Sequence, residues 1–226
     1  MTAYPGTANK TEPSCIWLVQ GHYLPENSRG WRPFEAYEHD DRSPANVVEA
    51  MRLTTTGHFL PRERFPTANY PRKDDDQGAH RKRIPQIFCN GFIFVSKESA
   101  DVLRHFDLGK GALYPTRLWY PDRVTPVPGE YFYLSQGNRK NAFLPERSPN
   151  ARKVYKSQDL WTLMPNPEDD QLAFSDVALE GPDIWWDERI MLYFFISDRL
   201  AQALEQAGTA RDWHFLRCPV VAKRGE

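Results

Sequence analysis

The chain reads FIFVSKESADVL at residues 92–103 and YFFISDRLAQAL at residues 193–204, which begins 101 positions further on. Each block has four bulky apolar or aromatic residues, then a Ser, then a helical pattern. A short uncharged run of large side chains predicts a buried strand, and Ser is a good helix N-cap because its hydroxyl accepts an otherwise unpaired backbone N–H. The sequence therefore contains two copies of one strand and helix, with Ser96 and Ser197 as the expected caps.

Both predicted helices have one apolar face and are followed by further apolar segments. The faces consist of Ala100, Leu103 and Phe106 in the first copy, and of Leu200, Ala201, Leu204 and Ala207 in the second. Gly109 and Gly208 are expected to end the helices, and strands are expected within residues 113–120 and 213–221. We expect one sheet to hold both units. The predicted fold class is α+β, a mixed β-sheet with two main strand-helix-strand units and an N-terminal extension.

Residues 1–85 differ in pattern from the rest and are predicted to form the N-terminal extension, with one strand, one helix and a charged, Pro-rich loop. The strand is expected at Cys15–Val19. The helix is expected to begin at Ser43-Pro44, because an N-cap Ser followed by Pro at the first helical position is a strong helix start. Residues 61–85 are rich in Pro and charge, as in a surface loop. Residues 86–226 are predicted to form the α/β core.

Composition restricts the class of protein. The apolar fraction of 40% indicates a folded chain, and a formal net charge of −1 gives no global attraction to nucleic acid or to an anionic membrane. Three scattered cysteines are too few for a disulfide framework, so free thiols are expected. Residues 1–13 carry no apolar secretory core, and no apolar run approaches the roughly 20 residues of a membrane span. We therefore expect a cytoplasmic protein with no membrane partner and no direct nucleic-acid partner.

Standard catalytic signatures are absent from the sequence. It has no phosphate-binding glycine loop ending in Lys-Ser or Lys-Thr, no His-Glu-x-x-His, no Cys-x-x-Cys and no Gly-x-Ser-x-Gly. Ser96 and Ser197 lie at strand ends, where a nucleophile could stand, but a capping role explains both copies at once. The sequence therefore predicts no catalytic residue, no cofactor and no metal ligand.

One acidic stretch, residues 168–188, has several possible roles. Asp183 and Asp187 flank two tryptophans and could hold a divalent metal or act as an acid–base pair, although no strand-borne Glu-x-Lys or Asp-x-Lys accompanies them. Alternatively, the tryptophans pack on the sheet while the acids face water. As a third possibility, exposed aromatics rimmed by acids bind a basic partner. The predicted partner-binding residues are Asp169, Asp170, Asp176, Glu180, Asp183, Trp185, Trp186 and Asp187. A comparable acidic cluster contains Glu35, Glu38, Asp40 and Asp41.

Six stretches carry a family resemblance that covers residues 86–221. They are FIFVS at 92–96 with Leu103, DLG at 107–109, LYP at 113–115, GEYF at 129–132, ALEGPDIW at 178–185 and FFISDRLA at 194–201. In this order and spacing they resemble a bacterial immunity-protein family of polymorphic-toxin and type VI secretion effector systems. The resemblance implies a non-catalytic cytoplasmic protein that binds one cognate toxin and blocks it.

The toxin is expected to be a nuclease, because a protein that cuts nucleic acid must present a basic groove, which an inhibitor can meet with carboxylates. Two other classes of function stay open at this point. One is an uncharacterised metal-dependent hydrolase or nuclease that uses Asp183, Asp187 and a histidine. The other is an effector chaperone or adaptor, which would bind a toxin without inhibiting it.

Overall fold

The computed structural model describes residues 14–27, 31–32, 44–66, 68–71 and 83–221. The helices in these ranges are α1 (Pro44–Thr54), α2 (Lys97–Leu103) and α3 (Asp198–Gln206). The strands are β1 (Cys15–Val19), β2 (Trp31–Arg32), β3 (Ala68–Pro71), β4 (Ile87–Cys89), β5 (Ile93–Ser96), β6 (Ala112–Leu118), β7 (Tyr131–Ser135), β8 (Arg139–Lys140), β9 (Ala151–Lys153), β10 (Trp161–Leu163), β11 (Ile184–Asp187), β12 (Phe194–Ser197) and β13 (Phe215–Pro219). The predicted α+β class is confirmed.

Two large sheets carry the fold. The first sheet has the order β2-β3-β6-β7-β5-β4, and the second has the order β13-β1-β12-β11-β8. The expectation that one sheet holds both units is wrong, since β5-α2-β6 belongs to the first sheet and β12-α3-β13 to the second. The reason is that β5 and β12 are apolar on both faces, so each sheet needs cover on both sides. Packing two sheets through one shared core supplies the inner cover.

The two sheets repeat the same strand arrangement. Four neighbouring strands run β4-β5-β7-β6 in the first sheet and β11-β12-β1-β13 in the second, and every neighbouring pair is antiparallel. In each sheet, one strand lies between the two strands of the strand-helix-strand unit, and this inserted strand comes from a different part of the chain in the two sheets. β7 directly follows β6 along the chain, whereas its counterpart β1 comes from the predicted N-terminal extension. The division at residue 85 stays a prediction, but β1 lies between β12 and β13.

The core has three apolar clusters that correspond to the faces of the sheets. The central cluster joins the inner faces of both sheets with α2 and α3, and it includes Ile93, Val95, Leu103, Ile196 and Leu204. On the outer face of the first sheet, Val47 and Ala50 of α1 pack with Phe65 and Phe94. On the outer face of the second sheet, Phe143, Leu172 and Phe174 pack with Trp185 and Phe195. Apolar clusters therefore lie on both faces of each sheet.

Both predicted caps are confirmed. The Ser96 hydroxyl accepts the Ser99 N–H at 3.2 Å, and the Ser197 hydroxyl accepts the Leu200 N–H at 3.3 Å. Helix α3 ends at Gln206, just before Gly208, which has a positive φ of 71°. The expectation that Gly109 ends α2 is wrong, because α2 already ends at Leu103 and three turn residues separate it from the loop.

The N-terminal extension contains more strand than the sequence predicted. β2 and β3 add to β1, and β3 lies inside the stretch predicted as a loop, where it pairs in parallel with β6. These strands are short and have no clear apolar alternation, so pairing with β6 rather than local pattern defines them. Helix α1 begins at Pro44, as predicted. Residues 33–43, with the second acidic cluster, and residues 72–82 lie outside the described ranges.

The structure also bears on the expectations about free cysteines and membrane spans that were drawn from composition. Cys15, Cys89 and Cys218 are free, and burial raises the pKa of the Cys89 thiol to about 11. None of the helices in the described ranges has the length and apolar character needed to cross a bilayer.

Candidate partner-binding surface

Half of the predicted partner-binding residues are buried in and beside β11. The exposed fractions are 1% for Asp183, 0% for Trp185, 1% for Trp186 and 3% for Asp187. These four residues offer no exposed surface to a partner in this structure, and the exposed members of the predicted set are the other four acids. Their burial follows from the position of β11 between β12 and β8, with an apolar cluster on each face.

Asp183 is a structural carboxylate that joins three parts of the fold. Its Oδ1 and Oδ2 accept the Arg199 guanidinium at 2.6 Å each, and it also accepts the Ser197 hydroxyl. The Asp107 N–H donates to Oδ2 at 2.9 Å. A buried carboxylate is tolerated only when it is paired and hydrogen-bonded, and here both oxygens are occupied.

Asp187 has a comparable role at the other end of β11. It accepts the backbone N–H groups of Ala142 at 2.8 Å, Phe143 at 3.0 Å and Arg189 at 3.0 Å. Burial raises the pKa of the Asp187 carboxyl, and these three N–H groups oppose the shift. This carboxylate fixes the turn after β11 and the chain after β8.

The two carboxylates do not form a metal site or an acid–base pair. They lie four residues apart in an extended strand, which separates their Cα atoms by about 13 Å. A divalent ion needs its ligands within about 2.6 Å of one centre. In the described part of the chain, no three His, Cys, Asp or Glu side chains come together as metal ligands.

Asp169 and Asp170 are exposed but are engaged at the edge of the second sheet. Asp169 accepts the Arg217 N–H at 2.7 Å, and the Asp170 N–H donates to the Arg217 carbonyl at 2.9 Å. The Asp170 carboxylate also pairs with the Arg217 guanidinium at 2.7 Å. These contacts cover the outer edge of β13, which would otherwise offer unpaired backbone groups to another strand.

Asp176 and Glu180 remain as exposed acids of the predicted set. They lie in the stretch 176–180, which we call the acidic turn and which includes a short 3₁₀ helix, Asp176–Leu179. Leu179 is 51% exposed between them, whereas the neighbouring Ala178 is buried in the outer core of the second sheet. The acidic turn therefore presents one large apolar side chain flanked by two carboxylates.

Lys140 holds the acidic turn in place. Its Nζ donates to the carbonyls of Ala178 at 3.0 Å and Pro182 at 3.4 Å, and it lies 3.5 Å from the centre of the Trp185 ring. Burial lowers the pKa of the Lys140 ammonium to about 8, while Asp183 and Glu180 oppose this shift. The turn is therefore fixed to buried groups by a cation that is itself half-buried.

A cleft of about 330 Å³ separates the acidic turn from the start of α3. Asp198 lines it and accepts Trp17 Nε1 at 2.8 Å and Gln202 Nε2 at 2.7 Å. Within the described residues Asp198 makes no ion pair, so its charge adds to those of Asp176 and Glu180. Sequence reasoning missed Leu179, Lys140 and Asp198. The run Asp176-Val-Ala-Leu179-Glu180 was visible, but only the fold shows which of its apolar residues is exposed.

Comparison with models of known protein families finds no match to this chain, and comparison with curated proteins finds no matching sequence. Any assignment of function therefore rests on the residues and geometry described above.

Proposed function

We propose that this protein is an immunity protein, which binds a cognate secreted toxin in the cytoplasm and neutralises it by stoichiometric, non-catalytic inhibition. The sequence resemblance over residues 86–221 suggests this class. The observation that carries the proposal is the acidic turn, where Leu179 is half-exposed between two exposed carboxylates and Lys140 fixes the backbone beneath it.

An apolar centre surrounded by a polar rim is the general layout of a protein–protein interface. The rim here is negative, because the exposed Asp176 and Glu180 flank Leu179 in sequence, Asp198 lines the cleft beside Leu179, and the nearby Arg199 is paired with Asp183. A negative rim suits a basic partner surface, and a nucleic-acid-cutting toxin must present one to its substrate. A nuclease is therefore the proposed toxin class.

The hydrolase alternative is disfavoured by the environment of the residues it requires. Asp183 is occupied by Arg199 and Ser197, and Asp187 by three backbone N–H groups, so neither has a free oxygen facing solvent. Ser197 is an N-cap with its hydroxyl directed at Asp183. Hydrogen bonds within the fold therefore engage each of these groups, which supports structural roles for them.

Titration of the purified protein against the product of the neighbouring gene, in an assay of that product's toxic activity, tests the proposal. We expect inhibition that saturates near equimolar amounts, because each toxin molecule must be covered by one inhibitor. Complete inhibition at a small fraction of the toxin concentration would indicate turnover and an enzyme instead. Binding without any loss of toxin activity would indicate a chaperone or adaptor.

A further inference from the structure

The ribbon formed by β9 and β10 has one edge that nothing in the described chain covers. Trp161 of β10 donates its N–H to Arg189 O at 2.7 Å, and its carbonyl accepts the Met191 N–H at 2.9 Å. Residues 189–191 therefore cover the outer edge of β10. The opposite edge belongs to β9, which pairs with β10 alone.

The pairing pattern fixes which β9 groups point outward. The N–H and carbonyl of Trp161 point away from β9, so Trp161 and the opposite residue Lys153 form a non-hydrogen-bonded pair of the antiparallel ladder. In such a pair both residues direct their backbone groups outward, so the N–H and carbonyl of Lys153 point away from β10. Inside the ribbon, the Val154 N–H donates to Leu160 O at 2.8 Å, which agrees with this alternation. Among the residues described, no group bonds the N–H or carbonyl of Lys153, the carbonyl of Ala151 or the N–H of Tyr155.

The side chains around this edge are basic and partly apolar. Arg152, Lys153 and Lys156 are exposed, and none of them forms an ion pair with another described residue. The nearby acid Asp159 is engaged by Arg189 at 2.8 Å. Tyr155 is 56% exposed at the end of the ribbon, so an aromatic side chain of the kind enriched in interfaces stands beside the cations.

We propose that the outer edge of β9, residues 151–155, is a docking site for an extended, acidic segment of a partner protein, which adds a strand to the ribbon. The unbonded edge groups alternate between donors and acceptors, as strand addition requires. The cations select an acidic strand and repel the same edge of a second copy of this chain. This site lies apart from the acidic turn and does not depend on the toxin-binding proposal.

A protein strand fits this edge better than a nucleic acid does. Phosphates can accept from Lys153 N–H and from the cations, but they offer no donor for the carbonyls of Ala151 and Lys153. An extended peptide supplies both kinds of group at the spacing of a β-ladder.

Binding of a short fluorescent peptide with alternating Glu and Val, followed by anisotropy, tests the proposal. We expect the peptide to bind the full chain and to lose affinity as salt is raised. The same peptide N-methylated at alternate amides keeps its charge but cannot form the ladder, so it should bind at least about tenfold more weakly.

Two substitutions at one position separate the backbone contact from the charge. Lys153→Pro removes both the ammonium and the N–H that points away from β10, and we expect it to weaken peptide binding by about tenfold. Lys153→Ala keeps that N–H and should cost only a few-fold, as expected for an exposed charge. Lys110→Glu, in the exposed loop before β6, is the control for a general charge effect and should leave binding nearly unchanged.

Several outcomes would overturn the proposal. These are failure of the peptide to bind, equal binding of the N-methylated peptide, equal binding by Lys153→Pro, and displacement of the peptide by an oligonucleotide that binds more tightly. Because Lys153→Pro can also disturb folding, amide hydrogen exchange of the unmodified chain gives an independent measurement. The Lys153 and Tyr155 amides should become protected when the peptide is added, and unchanged exchange at both would contradict strand addition.

Discussion

The two capping serines occupy equivalent positions, but their hydroxyls donate to different acceptors. The Ser96 hydroxyl also meets the neutral amide oxygen of Gln86, whereas the Ser197 hydroxyl meets the buried carboxylate of Asp183. Removing the Ser197 hydroxyl therefore takes away a cap and leaves a buried charge with fewer donors.

We expect Ser96→Ala to lower the free energy of unfolding by about 1 kcal/mol, and Ser197→Ala to lower it by about 2 kcal/mol, measured by urea denaturation. Affinity for a partner should stay within a few-fold in both variants, since each hydroxyl is already engaged in hydrogen bonds within the fold. Equal losses in the two variants would show that the carboxylate gains nothing from Ser197. A folded Ser197→Ala protein without any activity would revive the idea of a nucleophile.

His22 is buried as a neutral imidazole. Its Nε2–H donates to the Leu192 carbonyl at 3.1 Å, and its ring packs 4.9 Å from the Phe194 ring, measured between centres. Burial lowers the pKa of His22 to about 3. As the pH falls below about 6.5, the unfolded chain takes up a proton at this residue and the folded chain does not, so stability falls with pH until the folded pKa is reached.

Between pH 7 and pH 5, we expect His22 to lower the free energy of unfolding by roughly 2 kcal/mol. His22→Gln keeps a donor for Leu192 but does not titrate, so this part of the pH dependence should disappear in urea denaturation at the two pH values. His105→Gln, at an exposed histidine, is the matched control and should retain the dependence. If His22→Gln behaves like the control, His22 is not the residue responsible.

The structural role of a residue could be predicted wherever a contact with its near neighbours in sequence determines that role. Ser96 and Ser197 were assigned correctly because an N-cap depends on the three residues that follow it. Asp183 and Asp187 could not be placed from the sequence. Their donors include Arg199 and the N–H groups of Ala142 and Phe143, which lie 16, 45 and 44 positions away in the chain, so their burial depends on pairing that no local pattern contains.

At the scale of elements, the acidic turn combines an anchor with a charged rim, and these should act on different rate constants. Leu179 contributes buried apolar area only after docking, so its loss should mainly speed dissociation. Asp176 and Glu180 act over a distance before docking, so their loss should slow association.

For the toxin complex, we expect Leu179→Ala to raise the dissociation rate constant by about tenfold, and Asp176→Ala with Glu180→Ala to lower the association rate constant and flatten its salt dependence. Surface plasmon resonance at two salt concentrations measures both effects. Glu130→Ala with Glu146→Ala removes two exposed carboxylates outside the acidic turn as a control. Indistinguishable results from the two charge pairs would remove the acidic turn from the interface.

Elements with a strong local pattern were predicted within a few residues, whereas their partners were not. β1 and β12 are bulky and uncharged, and α3 has a cap and one apolar face, so each was visible in sequence. β3 is a short segment, Ala-Asn-Tyr-Pro, whose strand conformation comes from pairing with β6. The two-sheet arrangement was missed because it depends on which strand pairs between β5 and β6 and which pairs between β12 and β13.

At the scale of the whole molecule, β1 is the strand that ties the predicted extension to the core. It forms five register pairs with β13 and four with β12, and Ile16 and Leu18 are fully buried. Without it, β12 and β13 would each present an unpaired edge inside the second sheet.

A chain that begins at Ser14 should therefore fold, whereas one that begins at Gly21 should lose cooperative unfolding and aggregate. Circular dichroism during thermal unfolding and size-exclusion chromatography measure the two effects. Adding a synthetic peptide with the sequence of residues 14–20 to the shorter chain should restore part of the transition. Normal folding of the shorter chain without the peptide would mean that the second sheet forms without β1, as the division at residue 85 implies.

The position of β1 also determines when the second sheet can form during protein synthesis. β1 leaves the ribosome about 200 residues before its neighbour β13, so the middle of the second sheet stays open until β13 emerges. Contacts this distant in sequence make folding slow and expose apolar strands to aggregation until they form. If the protein acts as proposed, protection of the cell begins only once β13 has emerged, and a prematurely terminated chain would offer none.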